Sequence, residues 1–218
     1  MSNHSLAKLN LSKRSAVDSK NKIRNVALRL FVSKGIKSST TREIAKKAGI
    51  SEGTIYKHFE SKDELALELF ITNMDMFREK LLENITNNDD PKEILSRLIQ
   101  NFFDFAKKQP EAYSYIMDAH YTELKKIPKE RPKPKDPFVE AICLGIEKGD
   151  FRKLDENLGA ALVIGMITRT ILFFNNGFIN LDYYQAAEEV VYSAIKLLGA
   201  QSLIIRHTNV SGYRTDYY

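Results

Sequence analysis

Helical periodicity runs through almost the whole chain and constrains its fold more than any other feature. Apolar residues recur three and four positions apart, and no segment alternates polar and apolar residues as a half-buried strand would. The clearest apolar stripe near the N-terminus comprises Ile23, Val26, Ala27, Leu30 and Phe31, on a predicted helix that ends at Gly35. Nine helical segments can be separated, so the sequence predicts an all-α fold of nine helices.

Residues that favour helix starts indicate where the later helices begin. A Ser, Thr or Asp side chain accepts a hydrogen bond from a free N–H of the first turn, and Pro fits the first helical position because its missing N–H has no helical partner there. The predicted starts are Thr40, Ser51, Ser61, Asp90, Pro110, Asp136, Asp155 and Asp182. The stretch 127–137 holds four prolines and predicts an exposed linker between helices six and seven.

Composition argues against several classes of protein. The chain has 218 residues, of which 43% are hydrophobic and 28% charged, as is typical of soluble globular proteins. Cys143 is the single cysteine, which excludes an intrachain disulfide and favours a reducing, cytoplasmic location. The histidines are scattered and no phosphate-cradling or acid–base motif is present, so we predict no enzymatic activity, no metal and no other cofactor.

The longest apolar stretch runs from Leu158 to Phe174 and is interrupted by polar residues. It falls short of the roughly 20 apolar residues that a membrane span needs. We therefore interpret it as a buried core or interface helix and predict no membrane partner.

Positive charge is concentrated at the N-terminal end. The first 60 residues hold 13 Lys or Arg against 4 Asp or Glu, whereas the remaining residues hold 20 against 24. A basic domain on a slightly acidic body is typical of proteins that bind nucleic acid, although a solvated basic face would give the same pattern.

Two short predicted helices, Thr40 to Ala48 and Ser51 to Phe59, are joined by a Gly-containing turn. Such a turn sets two helices at a steep angle and leaves the second projecting, as in a DNA-reading helix-turn-helix. Burial of Ile55 and Phe59 would leave the neighbouring side chains outward. The DNA-binding candidates are Thr40, Thr41, Arg42, Ser51, Gly53, Thr54, Tyr56, Lys57, His58 and Lys62.

These residue types suit a DNA groove. Gly53 removes a side chain where the helix approaches the groove, and Thr54 can contact a base edge. Tyr56 and Lys57 are long enough to reach phosphate oxygens. His58 can contact phosphate or simply cap the helix. Taken singly, the Ser and Thr residues also fit plain helix caps.

The segments IRNVALRLFVSKG and TTREIAKKAGISEGTIYKHFESKDELALELF closely resemble the N-terminal domain of TetR/AcrR-type transcriptional regulators, from about Lys22 to Phe70. The resemblance implies a three-helix DNA-binding domain followed by a six-helix domain for ligand binding and dimerisation. It implies backbone contacts to DNA by Thr40, Thr54, Tyr56 and Lys62, and base or backbone contacts by Thr41, Arg42, Ser51, Gly53 and Lys57. The phrase GIEKGDFRKLDENLGAALVIGM resembles the junction between helices seven and eight in that family.

The expected organisation has four parts. They are a mobile arm at 1–16, the helix-turn-helix domain at 17–63, the ligand-binding and dimerisation domain at 64–205, and a C-terminal tail at 206–218.

The resemblance also implies a homodimer in which helices eight and nine of both subunits form a four-helix bundle. Helix nine carries a broad apolar face, which comprises Tyr184, Ala187, Val190, Val191, Ala194, Ile195 and Leu198. Two-fold symmetry makes the operator a palindrome, with the reading helices roughly 34–36 Å or more apart. The implied protein is a repressor, released when a small-molecule effector shifts helix four and changes that spacing.

Aromatic, Met and polar residues of helices five, six and eight are the candidate effector contacts, and they favour a lipophilic or aromatic effector. They are Phe103, Tyr113, Tyr115, Met117, His120, Met166, Arg169, Thr170 and Phe173. Most of these also fit an ordinary core. Arg169 must find a partner within its apolar helix, and we favour a structural salt bridge over an anionic ligand. The alternative to a sequence-specific regulator is an architectural DNA-binding protein, with an enzyme a more distant one.

Overall fold

The structure is a computed structural model that describes residues 3–86 and 89–199, with side chains from Val17 onward. Within those residues it contains nine α-helices, one short 3₁₀ turn and no strand, which confirms the predicted all-α fold. The helices are α1 (Asn3–Lys34), α2 (Thr41–Ala48), α3 (Glu52–Tyr56), α4 (Lys62–Leu81), α5 (Pro91–Lys108), α6 (Pro110–Glu123), α7 (Asp136–Glu147), α8 (Glu156–Asn175) and α9 (Tyr183–Leu198). The 3₁₀ turn covers Leu124–Lys126.

The first three helices close around a small apolar core. Ile23 of α1, Ile44 of α2 and Ile55 of α3 are fully buried, and Phe59 joins them from the residues after α3. Gly49 ends α2 in the left-handed conformation, with a φ of 66°. This conformation is costly for residues that carry a Cβ, so glycine suits the turn between α2 and α3.

The predicted helix caps form as expected. The side chains of Thr40, Ser51 and Ser61 each accept a hydrogen bond from the backbone N–H three residues later, at 3.2, 3.2 and 3.0 Å. Asp182 and Gln185 form a full capping box at the start of α9. Each contact lies within one turn of sequence, so the sequence alone was enough to predict it.

Helix α1 is longer than the sequence pattern predicted. Its backbone is helical from Asn3, whereas residues 1–16 were expected to form an arm outside the helix. That segment contains no Gly or Pro, so helix propensity extends α1 even where no apolar stripe marks a buried face. The predicted C-terminal tail, 206–218, lies outside the described residues.

Helix α5 lies at the centre of the C-terminal part and packs against α4, α6, α7, α8 and α9. The ring of Phe77 on α4 lies 4.8 Å from that of Phe102 and 4.5 Å from that of Phe105, between ring centroids. Tyr183 of α9 donates its hydroxyl to the Phe103 carbonyl at 3.0 Å. Aromatic side chains therefore join both α4 and α9 to α5.

Helices α8 and α9 leave much apolar surface uncovered. Among the side chains that the structure describes, eight of the eleven exposed large hydrophobic ones lie between positions 158 and 192: Leu158, Leu162, Leu172, Phe173, Phe178, Leu181, Tyr184 and Tyr192. The predicted interface face of α9 is only partly on this surface, because Ala187, Val190, Ala194 and Leu198 are buried within the subunit. Spacing reveals an apolar face but not which neighbour covers it.

The interpretation of α8 also changes. By length and composition alone the helix could cross a membrane, contrary to the sequence estimate, and little more than a quarter of its apolar stretch is buried. One such helix is weak evidence for a span, because α8 packs against α7, α5 and α9 within the fold. Arg169 is exposed and forms no ion pair within the described residues, so the favoured internal salt bridge is wrong. The α8 face that carries Arg169 points outward.

Candidate functional site

The start of α2 is bonded to α3 through two candidate DNA contacts, Thr41 and Tyr56, and one acidic side chain, Glu52. The Thr41 hydroxyl donates to the Glu52 carboxylate and lies 3.3 Å from the Tyr56 hydroxyl. The Ser51 and Thr54 hydroxyls are 2.8 Å apart. These bonds fix the side chains of α3 relative to α2, so the candidate groups form one preorganised surface.

Cations flank this surface and lack internal partners. Arg42, Lys46 and Lys57 are exposed and form no ion pair within the part of the chain that the structure describes. Tyr56 is 53% exposed, although it is a large aromatic residue. His58 is half-buried, and its ring lies beside that of Phe59. Unpaired cations around an exposed tyrosine are suited to phosphate contacts.

Gly53 stands in open space within the subunit. A Cβ added there would meet only the Ser51 hydroxyl oxygen, at 3.9 Å, and the residue has no positive φ. Neither folding nor packing within the subunit requires glycine at this position. A close approach of an external molecule to the α3 backbone would require it.

Lys62 has a structural role that the sequence did not reveal. Its ammonium donates to the carbonyls of Ile36 and Ser39, both at 2.7 Å, and to that of Lys37 at 3.3 Å. These three bonds use all three of its N–H donors. Lys62 therefore connects the start of α4 to the turn between α1 and α2, and any phosphate contact would have to share its donors.

A cavity of about 440 Å³ lies between α4, α5, α6, α8 and the linker before α7. Its walls are mostly apolar; they comprise Met74, Phe77, Phe102, Ile116, Met117, Tyr121, Leu124, Pro134 and Ile164, with His120, Lys133, Lys135 and Thr168 as the polar members. The volume is within the range of small-molecule sites. Burial lowers the pKa of His120, so its imidazole is held neutral at neutral pH.

The predicted effector contacts divide among several places. Met117 and His120 line the cavity. Tyr113, whose pKa is raised to about 12 by burial, lines an adjoining cleft with Arg169. Met166 and Thr170 line a groove between α8 and α9. These predicted contacts therefore do not converge on one site.

Three other predicted effector contacts lie outside the cavity. Phe103 is fully buried in the core, and Tyr115 is buried with its hydroxyl bonded to the Ala66 carbonyl at 2.8 Å. Phe173 is 45% exposed and contacts Phe178. Phe103, Tyr115 and Phe173 therefore do not line this cavity, because a helical pattern does not say which neighbour each face meets.

The sequence reasoning missed most of the cavity wall. The sequence analysis did not single out Phe77 or Phe102, and it took Lys133 only as part of an exposed linker. The linker contributes Lys133, Pro134 and Lys135 to the cavity wall, and its Arg131 pairs with Asp75 of α4. The two residues are 56 positions apart in the sequence, so no local sequence pattern predicts their contact.

One side of α6 faces the N-terminal helices while another faces the cavity. The ring of Tyr115 is stacked on Phe31 of α1 at 6.0 Å, and its hydroxyl reaches α4. The next residues, Ile116 and Met117, line the cavity. Displacement of α6 by a bound molecule would therefore reach α1 and α4 directly.

Comparison with known proteins agrees with this architecture. Residues 23–69 match the family model for bacterial regulatory proteins, tetR family. The chain is 37% identical over 91 residues to the uncharacterised HTH-type transcriptional regulator YerO of Bacillus subtilis strain 168. The aligned region covers 40% of this chain and 32% of YerO. It is 28% identical over 152 residues to the fatty acid metabolism regulator protein of the same organism, which covers 67% of this chain and 78% of that protein.

Among solved structures, a TetR family transcription regulator from Marinobacter aquaeolei VT8 shares the fold. Its TM-score is 0.73 at 20% identity, over 86% of this chain and 100% of that one. The matched N-terminal model, the regulator relatives and the shared fold agree with the preorganised α2–α3 surface. Residues 23–69 therefore carry the N-terminal domain of the tetR family of bacterial regulatory proteins, and the chain shares the fold of a TetR family regulator.

Proposed function

We propose that this protein is a homodimeric repressor that binds a palindromic operator in the cytoplasm and is released by a small-molecule effector. The observation that carries the proposal is the surface of α2 and α3. At Gly53 it has a glycine that packing within the subunit does not require. It also has an exposed Tyr56 and unpaired cations at Arg42 and Lys57. An α-helix of this kind fits the major groove, and phosphate contacts on either side would set its register.

The exposed apolar patch on α8 and α9 supports the homodimer. Phe178 is 72% exposed and Tyr192 is 61% exposed, and both belong to a patch that runs through the loop between these helices. Large apolar side chains that stay exposed along one segment are typical of a surface that contacts another protein. A second copy of the chain would cover it through a two-fold axis, which matches the symmetry of a palindrome.

The connection through α6 supports release by an effector. A molecule in the cavity would contact Met117 and His120, while Tyr115 on the same helix contacts α1 and α4. A shift of α6 on effector binding would change the distance between the α3 helices of the two subunits. By linkage, the effector and the operator then weaken each other's binding by the same factor.

The test is selection of bound duplexes from a random pool, followed by titration of the selected sequence. We expect a palindromic sequence bound at least ~10³-fold more tightly than random DNA. Tyr56→Ala should weaken that binding. Gln100→Ala, which truncates an exposed side chain on α5, is the control and should leave it unchanged.

Selection of no motif, or equal affinity for random DNA, would favour the architectural alternative. A selected motif without two-fold symmetry would contradict the homodimeric arrangement while leaving sequence-specific binding in place.

A further inference from the structure

The cavity described above has an unbalanced charge. Its lining includes two lysines, Lys133 and Lys135, and no Asp or Glu. Lys135 is paired with Asp136 at 3.1 Å and also lies near Asn157. Lys133 forms no ion pair within residues 17–86 and 89–199, so it is the uncompensated cation of this site.

The ammonium of Lys133 is held in place by backbone oxygens. It donates to the carbonyls of Lys129 at 2.5 Å and Arg131 at 2.8 Å. An ammonium has three donors, so one remains for a further acceptor. The side chain is half-buried, which makes it a partly ordered positive charge beside the apolar wall.

The remaining polar groups of the cavity carry no charge to balance it. The Thr168 hydroxyl donates to the Ile164 carbonyl within its own helix at 2.9 Å. His120 is neutral near pH 7 because burial lowers its pKa. The cavity therefore offers apolar walls and one unpaired cation, a combination that disfavours cationic ligands and strongly polar ones.

We propose that the cavity binds an apolar carboxylate. Its apolar body lies against Met74, Phe77 and Ile164, and its carboxylate pairs with the ammonium of Lys133. The proposal rests on the proposed function, because it names the ligand class of the cavity assigned there to the effector. The adjoining cleft fits an anion less well, since Arg169 shares that cleft with Asp118.

The position of Lys133 also connects the ligand to α4. Arg131, whose carbonyl holds the Lys133 ammonium, pairs through its side chain with Asp75. The neighbouring residue Met74 lines the cavity. A carboxylate at Lys133 therefore acts on a linker that is itself attached to the helix leading to the DNA-binding domain.

The test is calorimetric titration of the full-length protein, without DNA, with octanoate, decanoate and dodecanoate below their micelle concentrations. Each is compared with the primary alcohol of the same chain length, which has the same apolar body and no charge. We expect at least one carboxylate to bind about tenfold or more tightly than its alcohol, because a hydrogen bond to a charged group exceeds a neutral one by about that factor.

Three variants locate the charge. Lys133→Met should remove the preference for the carboxylate, and Lys133→Arg should keep it. Lys125→Met changes an exposed lysine just before the same linker, which does not line the cavity, and is the matched control, with no loss expected. Thermal unfolding of each variant checks that the linker change has not unfolded the protein.

Equal affinity for carboxylates and alcohols, or no binding of either series, would overturn the proposal. A preference that survives Lys133→Met but disappears in Arg169→Met would also overturn it and would assign the anion to the adjoining cleft. Operator binding is measured separately on the same samples. Retained operator binding without a carboxylate preference would refute only this inference, whereas failure to select an operator would refute the proposed function.

Discussion

Substitution of Gly53 by alanine should separate folding from DNA binding. The added Cβ would meet nothing closer than 3.9 Å within the subunit, and the backbone has no positive φ. Glycine in a helix costs roughly 0.5–1 kcal/mol relative to alanine, mainly through backbone entropy. Since α3 has only five residues, we expect Gly53→Ala to raise the free energy of unfolding by about 0.5 kcal/mol.

Operator affinity should change in the opposite direction. A methyl group forced into a well-packed contact costs roughly 1–3 kcal/mol, and a dimer would place two of them on the operator. Even the lower value amounts to about 2 kcal/mol per dimer, or roughly a 30-fold weaker operator complex.

The assay is chemical denaturation together with titration of the selected operator, both on the same preparation. Gln100→Ala on the exposed side of α5 is the control; it replaces another helix residue far from α3 and should leave operator affinity unchanged. Gly53→Ala protein that is as stable as expected and binds the operator with unchanged affinity would refute the close approach of α3 to DNA.

Three further predictions follow from the C-terminal part. Tyr115→Phe removes the hydroxyl that donates to α4, so the free energy of unfolding should fall by about 1 kcal/mol and effector-driven release should weaken. The same change at Tyr192, which is exposed on α9, lies outside the cavity and keeps its ring, should do neither; equal effects at both positions would contradict the coupling through α6. Folding lowers the pKa of His120 from 6.5, so the stability that the neutral imidazole contributes is present above that pH and is lost as the pH falls below it. Between pH 7 and 5 the unfolding temperature of His120→Gln should therefore fall less steeply than that of the unchanged protein. Identical slopes would refute the burial of a neutral His120. Phe178→Ser should shift the protein from dimer towards monomer in light scattering at low micromolar concentration, whereas Val17→Ser, exposed outside the patch, should not; an unchanged dimer in the Phe178 variant would remove that side chain from the interface.

The helix boundaries and the DNA-reading motif were accessible from the sequence because their signals are local. Thr40, Ser51 and Ser61 each cap a helix through a bond to the residue three positions on. The apolar positions that bury α1 and α3 repeat every three or four residues, so the faces of these helices follow from spacing alone. A compact helix-turn-helix is completed within such short distances, and its residue pattern is correspondingly specific.

Tertiary structure decided everything that depends on which distant helices meet. Phe103 and Tyr115 have aromatic side chains of the kind that line ligand pockets, yet the packing of α5 and α6 buries them in the core. Lys62 had the position of a phosphate contact, yet the turn before α2 supplies its three acceptors. The role of Lys133 emerged only where the linker crosses the cavity beside α4. Periodicity determines a helix face, but the identity of the neighbour on that face depends on contacts between residues far apart in the chain, which no local pattern encodes.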